Sequence, residues 1–343
     1  MTSADRSEQR RRQSWFGLKR PIKRAVSLPG VNQVAHAVTR NRRGADAAAR
    51  LPAPMGVHQV LGRIDDITIV MNDPAQCIIA KELYWGGGRR PRAQDQLALE
   101  VFARLAQQAD HVLDIGSYTG VFSIVAAKVN RAATVDAFEI VPSNFLAAWG
   151  NVIANDLVGR VQVHLEGVGE EGSIRMPAAT GGSALPDFWS IDDAEAEGGV
   201  RVRVSTLERI VSRRAPTPGA DILIKVDVEG HENAIVTADA EVGADPDAGA
   251  DADSSTAVVG AIEAYQPTFL MEILPGAEVA PLLEIFGRPG RRTPAPYRFY
   301  LIAEGRLRQA PTLHGDEDCR DWLITTLNPE ELTGLGIAVD DLT

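Results

Sequence analysis

The segment Val112-Leu-Asp114-Ile-Gly116-Ser-Tyr-Thr-Gly120 decides the fold of this chain of 343 residues. Its apolar start predicts a short buried strand at His111–Ile115. Its two glycines, four positions apart, predict a loop whose backbone can approach a ligand closely. A helical pattern follows over 121–130, so the free N–H groups at the start of that helix face the loop. A strand, a glycine loop and a helix in this order form the first half of a βαβ unit.

Strands and helices alternate along the chain beyond this loop. The predicted strands are at 134–140, 161–168, 222–228 and 268–274. The predicted helices are at 144–157, from about 230, and at 278–286. The predicted fold class is therefore α/β, with a doubly wound, mostly parallel sheet. The last segments of strand character, 297–302 and 322–326, have no long helix between them, which predicts an antiparallel C-terminal edge strand.

The chain before the loop has a different pattern. Residues 64–70 alternate like one arm of a hairpin, and residues 94–108 have the period of an amphipathic helix. The acidic stretch at 241–256 is poor in apolar residues, which is typical of a disordered surface insertion. We therefore predict three regions. They are a basic, disordered arm at 1–43, an N-terminal extension at 44–110 that contributes to the substrate pocket, and the α/β domain at 111–330, which contains the insertion.

Composition excludes several classes of protein. Hydrophobic residues make up 45% of the chain, too large a share for a disordered protein. The two cysteines predict neither a disulfide scaffold nor a metal site. No apolar run approaches the roughly 20 residues of a membrane-spanning helix. The net charge of −11 argues against a nucleic-acid partner.

The charge is unevenly distributed along the chain. Residues 1–43 contain 11 Lys and Arg against two acidic residues, whereas the remainder is strongly acidic. Lys19-Arg20 and Lys23-Arg24 interrupt any apolar core of a secretory signal, so the predicted location is the cytoplasm. Two interpretations of the arm stay open. It is a solvated, disordered segment, or it contacts an anionic membrane surface or an acidic partner.

The polar residues near the loop indicate the kind of ligand. A dinucleotide fold has three glycines in a closer pattern, with the pyrophosphate on the helix. The carboxylate of Asp114 would repel a pyrophosphate but suits an ammonium or hydroxyl group. Glu139 ends the next strand about 20 residues later, where a carboxylate can accept hydrogen bonds from ribose hydroxyls. This pair predicts S-adenosyl-L-methionine (SAM) rather than NAD. The candidate cofactor-binding residues are Asp114, Gly116, Ser117, Tyr118, Gly120 and Glu139.

A second group of polar residues lies in the segment Ile224-Lys-Val-Asp-Val-Glu-Gly-His-Glu232. Alternation places Lys225 and Asp227 on one face of the predicted strand. A buried ammonium group needs a partner, and Asp227 and Glu272 are the candidates. Whether Lys225 and Glu272 only stabilise the sheet stays open. The candidate catalytic residues, which lie where the strand leaves the sheet at its ligand-binding edge, are Asp227, Glu229 and His231.

These motifs resemble the FkbM-type SAM-dependent methyltransferases, a branch of the class I methyltransferases with a Rossmann-like fold. The glycine loop is similar to the first motif of that family. Ala137-Phe-Glu139 is similar to its ribose-binding acid, and Leu223-Ile-Lys-Val-Asp-Val-Glu-Gly-His-Glu232 to its hallmark segment. The resemblance extends from about His111 to Trp322. His231 departs from the pattern, because family members often have alanine there.

The resemblance implies an enzyme, a transferase that uses SAM for O-methylation of a hydroxyl group on a sugar or a glycosylated natural product. The acceptor would be a small molecule or a carbohydrate, and Asp227, Glu229 or His231 would remove its proton. Among the aromatic residues of the sequence, the candidates for the floor of its pocket are Tyr84, Trp85, Phe188 and Trp189, whereas Trp149 suits the packing of a helix against the sheet. Two alternatives are an NAD-dependent oxidoreductase on a Rossmann-like fold and a non-catalytic SAM-binding protein. The acceptor and the oligomeric state stay open.

Overall fold

A computed structural model describes residues 25–39, 51–178, 199–241 and 260–340, except for 215, 218, 289, 293, 294 and 304. Most of the basic arm and nearly all of the acidic insertion lie outside the described residues. The described strands are β1 (Gln59–Ile64), β2 (Ile67–Asn72), β3 (His111–Ile115), β4 (Thr134–Glu139), β5 (Val161–Val168), β6 (Gly172–Met176), β7 (Val200–Ser205), β8 (Ile222–Val226), β9 (Thr268–Glu272), β10 (Arg298–Ala303), β11 (Arg306–Ala310), β12 (Asp321–Thr325) and β13 (Val339–Asp340). The described helices are α1 (Val31–Thr39), α2 (Ile78–Trp85), α3 (Ala93–Ala106), α4 (Val121–Val129), α5 (Pro142–Ala154), α6 (Leu207–Arg214), α7 (Glu232–Ala240), α8 (Ala261–Tyr265), α9 (Ala280–Phe286) and α10 (Pro329–Gly334). None of these described helices is long and apolar enough to cross a lipid bilayer.

Eleven of the described strands form one sheet, in the order β13-β11-β10-β12-β9-β8-β3-β4-β5-β7-β6. The neighbouring strands from β9 to β7 are parallel. The chain moves outward from β3 through β4 and β5, and later places β8 on the other side of β3. This reversal is the topological switch point at which open α/β sheets bind ligands. The predicted α/β fold with a doubly wound, mostly parallel sheet is confirmed.

The central strands are apolar on both faces because helices cover both faces of the sheet. All five residues of β8 are buried. On one face, Leu113, Ile224 and Phe269 belong to a hydrophobic cluster with α6, α7, α8 and α9. On the other face, Val112 and Leu223 pack with α3 and α4. Burial on both faces is what a parallel sheet requires, and it explains the nearly continuous apolar runs in these strands.

The edges of the sheet contain more strands than the sequence patterns predict. The strands predicted at 297–302 and 322–326 are β10 and β12, which form the predicted antiparallel edge, and the structure adds β11 and β13 beyond β10. Successive pairs from β9 to β11 are antiparallel. In β11, Arg306 and Arg308 alternate with a single buried Leu307, so this strand has no apolar run. Charged side chains protect edge strands from pairing with other chains, and they also hide such strands from an analysis of hydropathy.

The N-terminal extension belongs to the same hydrophobic core as the sheet. The antiparallel hairpin β1-β2 buries Ile64, Ile69 and Met71 in the cluster that contains Val112 of β3. The predicted hairpin is confirmed, although it starts at Gln59 rather than at residue 64. The extension is therefore packed on the α/β domain and does not form a separate core.

Two asparagine side chains take the place of a neighbouring strand along β2. They belong to Asn151 in α5 and to Asn155, which directly follows that helix. The backbone N–H of Val70 donates to Oδ1 of Asn155 (2.8 Å), and Nδ2 of Asn155 donates to the carbonyl oxygen of Val70 (2.6 Å). The backbone N–H of Asn72 donates to Oδ1 of Asn151 (2.7 Å). These side chains satisfy the backbone groups that an unpaired strand would leave open, and they attach the hairpin to α5.

Part of the predicted disordered arm is a helix, α1. Its Asn32 is buried and accepts a hydrogen bond at Oδ1 from the hydroxyl group of Tyr84 in α2. The backbone N–H of Met55 donates to the carbonyl oxygen of Ser27 (2.9 Å). These polar contacts attach the described residues 25–39 to the extension, so this part of the arm is ordered against the domain.

Asn155→Ala should weaken the attachment of the hairpin, because both backbone groups of Val70 lose their partner. We expect the free energy of unfolding, measured by urea denaturation, to fall by about 1–3 kcal/mol. Gln107→Ala, at an exposed position directly after α3, is the control. It should stay within about 0.5 kcal/mol of the parent protein. Equal unfolding free energies for the two variants would show that water replaces the asparagine at no cost.

Candidate functional site

A cavity of about 550 Å³ opens at the carboxyl ends of β3, β4 and β8. Eight of the nine predicted site residues line its wall. The ninth, Gly120, is not among the lining residues. It precedes α4 in the left-handed region, with φ of 77°, so it allows the loop to enter the helix. From the N-terminal extension, Ile79 and Arg90 also line the cavity.

Gly116 allows the loop to lie directly against the end of β8. A Cβ atom at this position would be 1.8 Å from the carbonyl oxygen of Asp227, and φ is +75°. The N–H groups of Gly116 and Ser117 both donate to the carbonyl oxygen of Phe138 in β4 (3.0 and 2.9 Å). The backbone therefore fixes the loop between two strands, at a distance that only glycine permits.

The carboxyl group of Glu139 joins the loop to β4. Glu139 is 5% exposed. One of its oxygens accepts a hydrogen bond from the backbone N–H of Tyr118 (2.8 Å), and the other accepts one from the N–H of Val141 (2.7 Å). Burial raises the pKa of this carboxyl group to about 8, against the opposing effect of the N–H donors. Each oxygen still has a lone pair for a ligand hydroxyl.

Ser117 presents an unpaired hydroxyl group at the cavity. The residue is 5% exposed, and its Oγ atom has no hydrogen-bond partner among the described residues. A buried polar atom without a partner costs about 1–3 kcal/mol. Because Ser117 lines the cavity, a polar ligand atom would remove this cost.

Asp114 and Tyr118 have structural partners as well as a place in the wall. Oδ2 of Asp114 accepts hydrogen bonds from the backbone N–H and the hydroxyl group of Ser123 in α4 (3.0 and 2.6 Å). Burial raises the pKa of Asp114 to about 6. The hydroxyl oxygen of Tyr118 accepts a hydrogen bond from the backbone N–H of Ile78 (3.2 Å), which ties the loop to α2. Both residues therefore keep the loop in place whether or not a ligand is bound.

Lys225 is a buried cation next to the cavity. Its Nζ atom lies 3.4 Å from Oδ2 of Asp227 and 3.3 Å from Oδ1 of Asp321. Burial by itself would lower the pKa of Lys225, but the carboxylates of Asp227 and Asp321 raise it above the ordinary value. The predicted pairing with Asp227 is confirmed. Asp321 lies in β12 and is a partner that no local pattern indicates.

Glu272, the other predicted partner of Lys225, shares a hydrogen bond with Asp227. Burial and then the nearby carboxylate of Asp227 raise the pKa of Glu272, whose Oε1 atom also lies 3.8 Å from Nη1 of Arg320. Asp227 therefore lies between the ammonium group of Lys225 and the carboxyl group of Glu272.

The three candidate catalytic residues line the same cavity but have different surroundings. Glu229 has a left-handed backbone, with φ of 54°, in the turn after β8. Burial and then the Asp227 carboxylate raise the pKa of Glu229, which makes it a stronger proton acceptor than an ordinary carboxylate. His231 is exposed, and its Nδ1 atom lies 3.3 Å from the carbonyl oxygen of Val228.

A divalent cation is one group that the carboxyl cluster could hold. Carboxyl oxygens of Asp227, Glu229 and Glu272 lie within 4.8 Å of one another, and oxygen ligands of this kind suit Mg²⁺ or Ca²⁺. However, the ammonium group of Lys225 already pairs with Asp227 at 3.4 Å, so a positive charge lies beside these carboxyl groups without a metal ion.

Other parts of the wall were outside the sequence predictions. The turn between β5 and β6 contributes residues 168–174. The rule that placed the other site residues, the carboxyl edge of a predicted strand, also applies to the end of β5. Arg90 pairs with Glu82 (2.9 Å) and Asp95 (3.2 Å), and no motif marks it. Of the aromatic residues predicted for the pocket floor, Tyr84 and Trp85 do not line this cavity, and Phe188 and Trp189 lie outside the described residues.

Comparison with known proteins gives matches to solved structures. No family model matches the chain, and no curated protein matches it. The chain is similar to a solved methyltransferase FkbM from Methylobacillus flagellatus, with 14% identity, a TM-score of 0.36 and coverage of 71% of this chain. It spans 65% of the length of that protein.

Two further matches are also methyltransferases. The O-methyltransferase TomG from Streptomyces achromogenes, solved with SAM, has 13% identity and a TM-score of 0.35, over 67% of this chain and 78% of that one. An O-methyltransferase from Bacillus cereus, solved with SAH, has 11% identity and a TM-score of 0.35, over 67% and 79%. Likeness at this level supports no statement on activity, and the fold assignment rests on the strand order of the chain itself.

Gly116→Ala should destabilise the protein by more than the cost of placing alanine in a left-handed conformation. The reason is that the new Cβ atom would also clash with the carbonyl oxygen of Asp227. We expect the free energy of unfolding to fall by about 2–5 kcal/mol. The control is Gly159→Ala, which has φ of +81° and nothing within 4 Å of the new Cβ atom. This control should lower the free energy of unfolding only by the cost of the left-handed conformation, about 1–2 kcal/mol. Chemical denaturation of both variants measures the difference, and equal losses would contradict the close approach at Gly116.

Proposed function

We propose that this chain is a SAM-dependent methyltransferase of the FkbM type, which O-methylates a hydroxyl group on a sugar or a glycosylated natural product. The observation that carries the proposal is one cavity with two kinds of polar group in its wall. The buried Glu139 carboxyl and the unpaired Ser117 hydroxyl lie at the glycine loop, and Asp227 and Glu229 lie at the end of the adjacent strand. The first pair suits a nucleoside, and the second suits an acceptor that must lose a proton.

The cavity fits SAM by its volume, and the residues at the loop fit SAM by their hydrogen-bonding groups and charge. The cavity volume of about 550 Å³ lies within the range of cofactor sites. Glu139 would accept hydrogen bonds from the ribose hydroxyls, and Ser117 would gain its missing partner. Asp114 at the base of the cavity favours a cationic group over a pyrophosphate. When bound, SAM supplies a methyl group on a positively charged sulfur.

We assign the proton transfer to Glu229. Its raised pKa and its place in the wall suit a group that takes a proton from an acceptor hydroxyl. Asp227 is engaged by Lys225 and Glu272, so its role is to orient the acceptor by accepting a hydrogen bond.

Ligand binding tests the proposal against an NAD-dependent oxidoreductase. A hundredfold excess of SAH over its dissociation constant should raise the free energy of unfolding by about 2.7 kcal/mol, whereas NAD should have no effect. Stabilisation by NAD without stabilisation by SAH would contradict the proposal. Mass spectrometry of metabolites from cells with and without the protein would then seek a product heavier by one CH₂ unit. SAH binding without any such product would favour the non-catalytic alternative.

Glu139→Gln should weaken SAH binding, because the amide replaces one oxygen with an NH₂ group that cannot accept a hydrogen bond. We expect the dissociation constant, measured by calorimetry, to rise about ten- to a hundredfold. Glu171→Gln is the matched control, since Glu171 lies in the same wall with a side chain that is 51% exposed. Its dissociation constant should change by no more than a few-fold. An unchanged affinity in Glu139→Gln would remove Glu139 from the cofactor site.

Glu229→Gln should lower kcat about 10²–10⁴-fold, the usual contribution of a general base. SAH affinity should stay within a few-fold of the parent. His231→Ala should cost less, because His231 is exposed and the resembling family often has alanine there. The comparison uses the acceptor found in the metabolite search. A large loss in His231→Ala with near-normal turnover in Glu229→Gln would identify the histidine as the base.

A further inference from the structure

Helix α1 exposes two valine side chains and buries a polar side chain, that of Asn32. Val31 and Val34 are 48% and 65% exposed, and Leu28, directly before the helix, is 47% exposed. Asn32, between the two valines, is 2% exposed. A surface helix of a globular protein normally has the opposite arrangement, with its apolar stripe against the core.

The contacts of α1 fix this orientation. Asn32 accepts its hydrogen bond from Tyr84 on the inner side of the helix. The backbone bond from Met55 to Ser27 (2.9 Å) brings Met55, which is 54% exposed, beside Leu28. We call the exposed apolar residues of this region the arm patch. It consists of Leu28, Val31, Val34 and Met55.

The sequence surrounds the arm patch with positive charge. Residues 1–24 contain eight of the 11 basic residues of the arm, and Arg40, Arg42 and Arg43 follow the helix. The arm is strongly basic, whereas the chain as a whole has a net charge of −11. Apolar residues on one face of a helix with flanking Lys and Arg are typical of segments that lie in the interface of an anionic bilayer.

We propose that the arm docks the protein onto an anionic lipid surface. The apolar side chains of the arm patch enter the interface, and the basic residues of the arm supply attraction to the lipid phosphates. A second copy of this chain is the less suitable occupant, because two strongly basic arms would then face each other and repel. Helix α2 joins the two regions, since Tyr84 holds α1 and Ile79 lines the cavity.

Vesicle sedimentation tests the proposal without any assumption about the enzymatic activity. The full chain should bind vesicles of phosphatidylcholine mixed with phosphatidylglycerol, and far more weakly those of phosphatidylcholine alone. Binding should weaken as salt is raised. The triple variant Leu28→Ser, Val31→Ser and Val34→Ser should raise the lipid concentration for half-maximal binding at least about tenfold. Replacing Lys19, Arg20, Lys23 and Arg24 with Gln should raise it roughly a hundredfold or more.

The matched control changes exposed apolar residues elsewhere. Leu146 and Ile153 of α5 are 65% and 51% exposed, and Leu146→Ser with Ile153→Ser should leave vesicle binding unchanged. An unchanged unfolding midpoint shows that each variant is folded. The proposal would be overturned if the full chain bound both kinds of vesicle equally well. It would also be overturned if the α5 control lost as much vesicle binding as the triple variant. A dimer in sedimentation velocity that the triple variant abolishes would also overturn it, because a second copy would then cover the arm patch.

Discussion

The glycine loop depends on one buried carboxyl group. Glu139 accepts a backbone N–H from the loop at Tyr118 and another from the start of α5 at Val141. Burial makes its charged form costly, and the raised pKa of about 8 expresses that cost. The same group is therefore ready to accept ligand hydroxyls, because two more hydrogen bonds would favour the ionised form. Glu139 therefore serves both the structure of the loop and the recognition of a ligand. The loop cannot move away from β4 without breaking the hydrogen bond between the N–H of Tyr118 and Glu139.

The second constraint is the charge balance behind the end of β8. Lys225 has almost no contact with water and keeps its charge because Asp227 and Asp321 lie within 3.4 and 3.3 Å. The carboxyl group of Glu272 lies beside Asp227, and burial and then that carboxylate raise the pKa of Glu272. Removal of one partner from such a cluster leaves a buried charge uncompensated, which costs more than the pair itself contributes. The pairing with Lys225 keeps Asp227 at the cavity. Glu229 is the neighbouring carboxyl group whose pKa is raised, by burial and then by Asp227, so it takes up a proton more readily than an ordinary carboxylate.

Local patterns in the sequence were sufficient to predict the central sheet and most of the candidate site. The loop from Asp114 to Gly120 and the acid at Glu139 are close in sequence, and each follows directly from an apolar strand, so strand-edge reasoning places them at one cavity. Asp321 could not be found in this way. It reaches Lys225 through the pairing of β12 with β9, which depends on the antiparallel edge of the sheet. The charged strand β11 also has no apolar run that would indicate a strand. In helix α1, the burial of Asn32 instead of the neighbouring valines depends on its contact with Tyr84, a residue distant in sequence.

The protonation state of Glu139 tests the central claim most directly. Carbon-13 NMR of protein with labelled glutamate, assigned with a Glu139→Gln variant, follows the carboxyl carbon through a pH titration. The structure predicts a pKa of about 8 in the free protein, far above the ordinary 4.5, and ionisation of the group at neutral pH when SAH is added. A pKa near 4.5 that SAH does not change would contradict both the burial of the carboxyl group and its role as the acceptor for the cofactor.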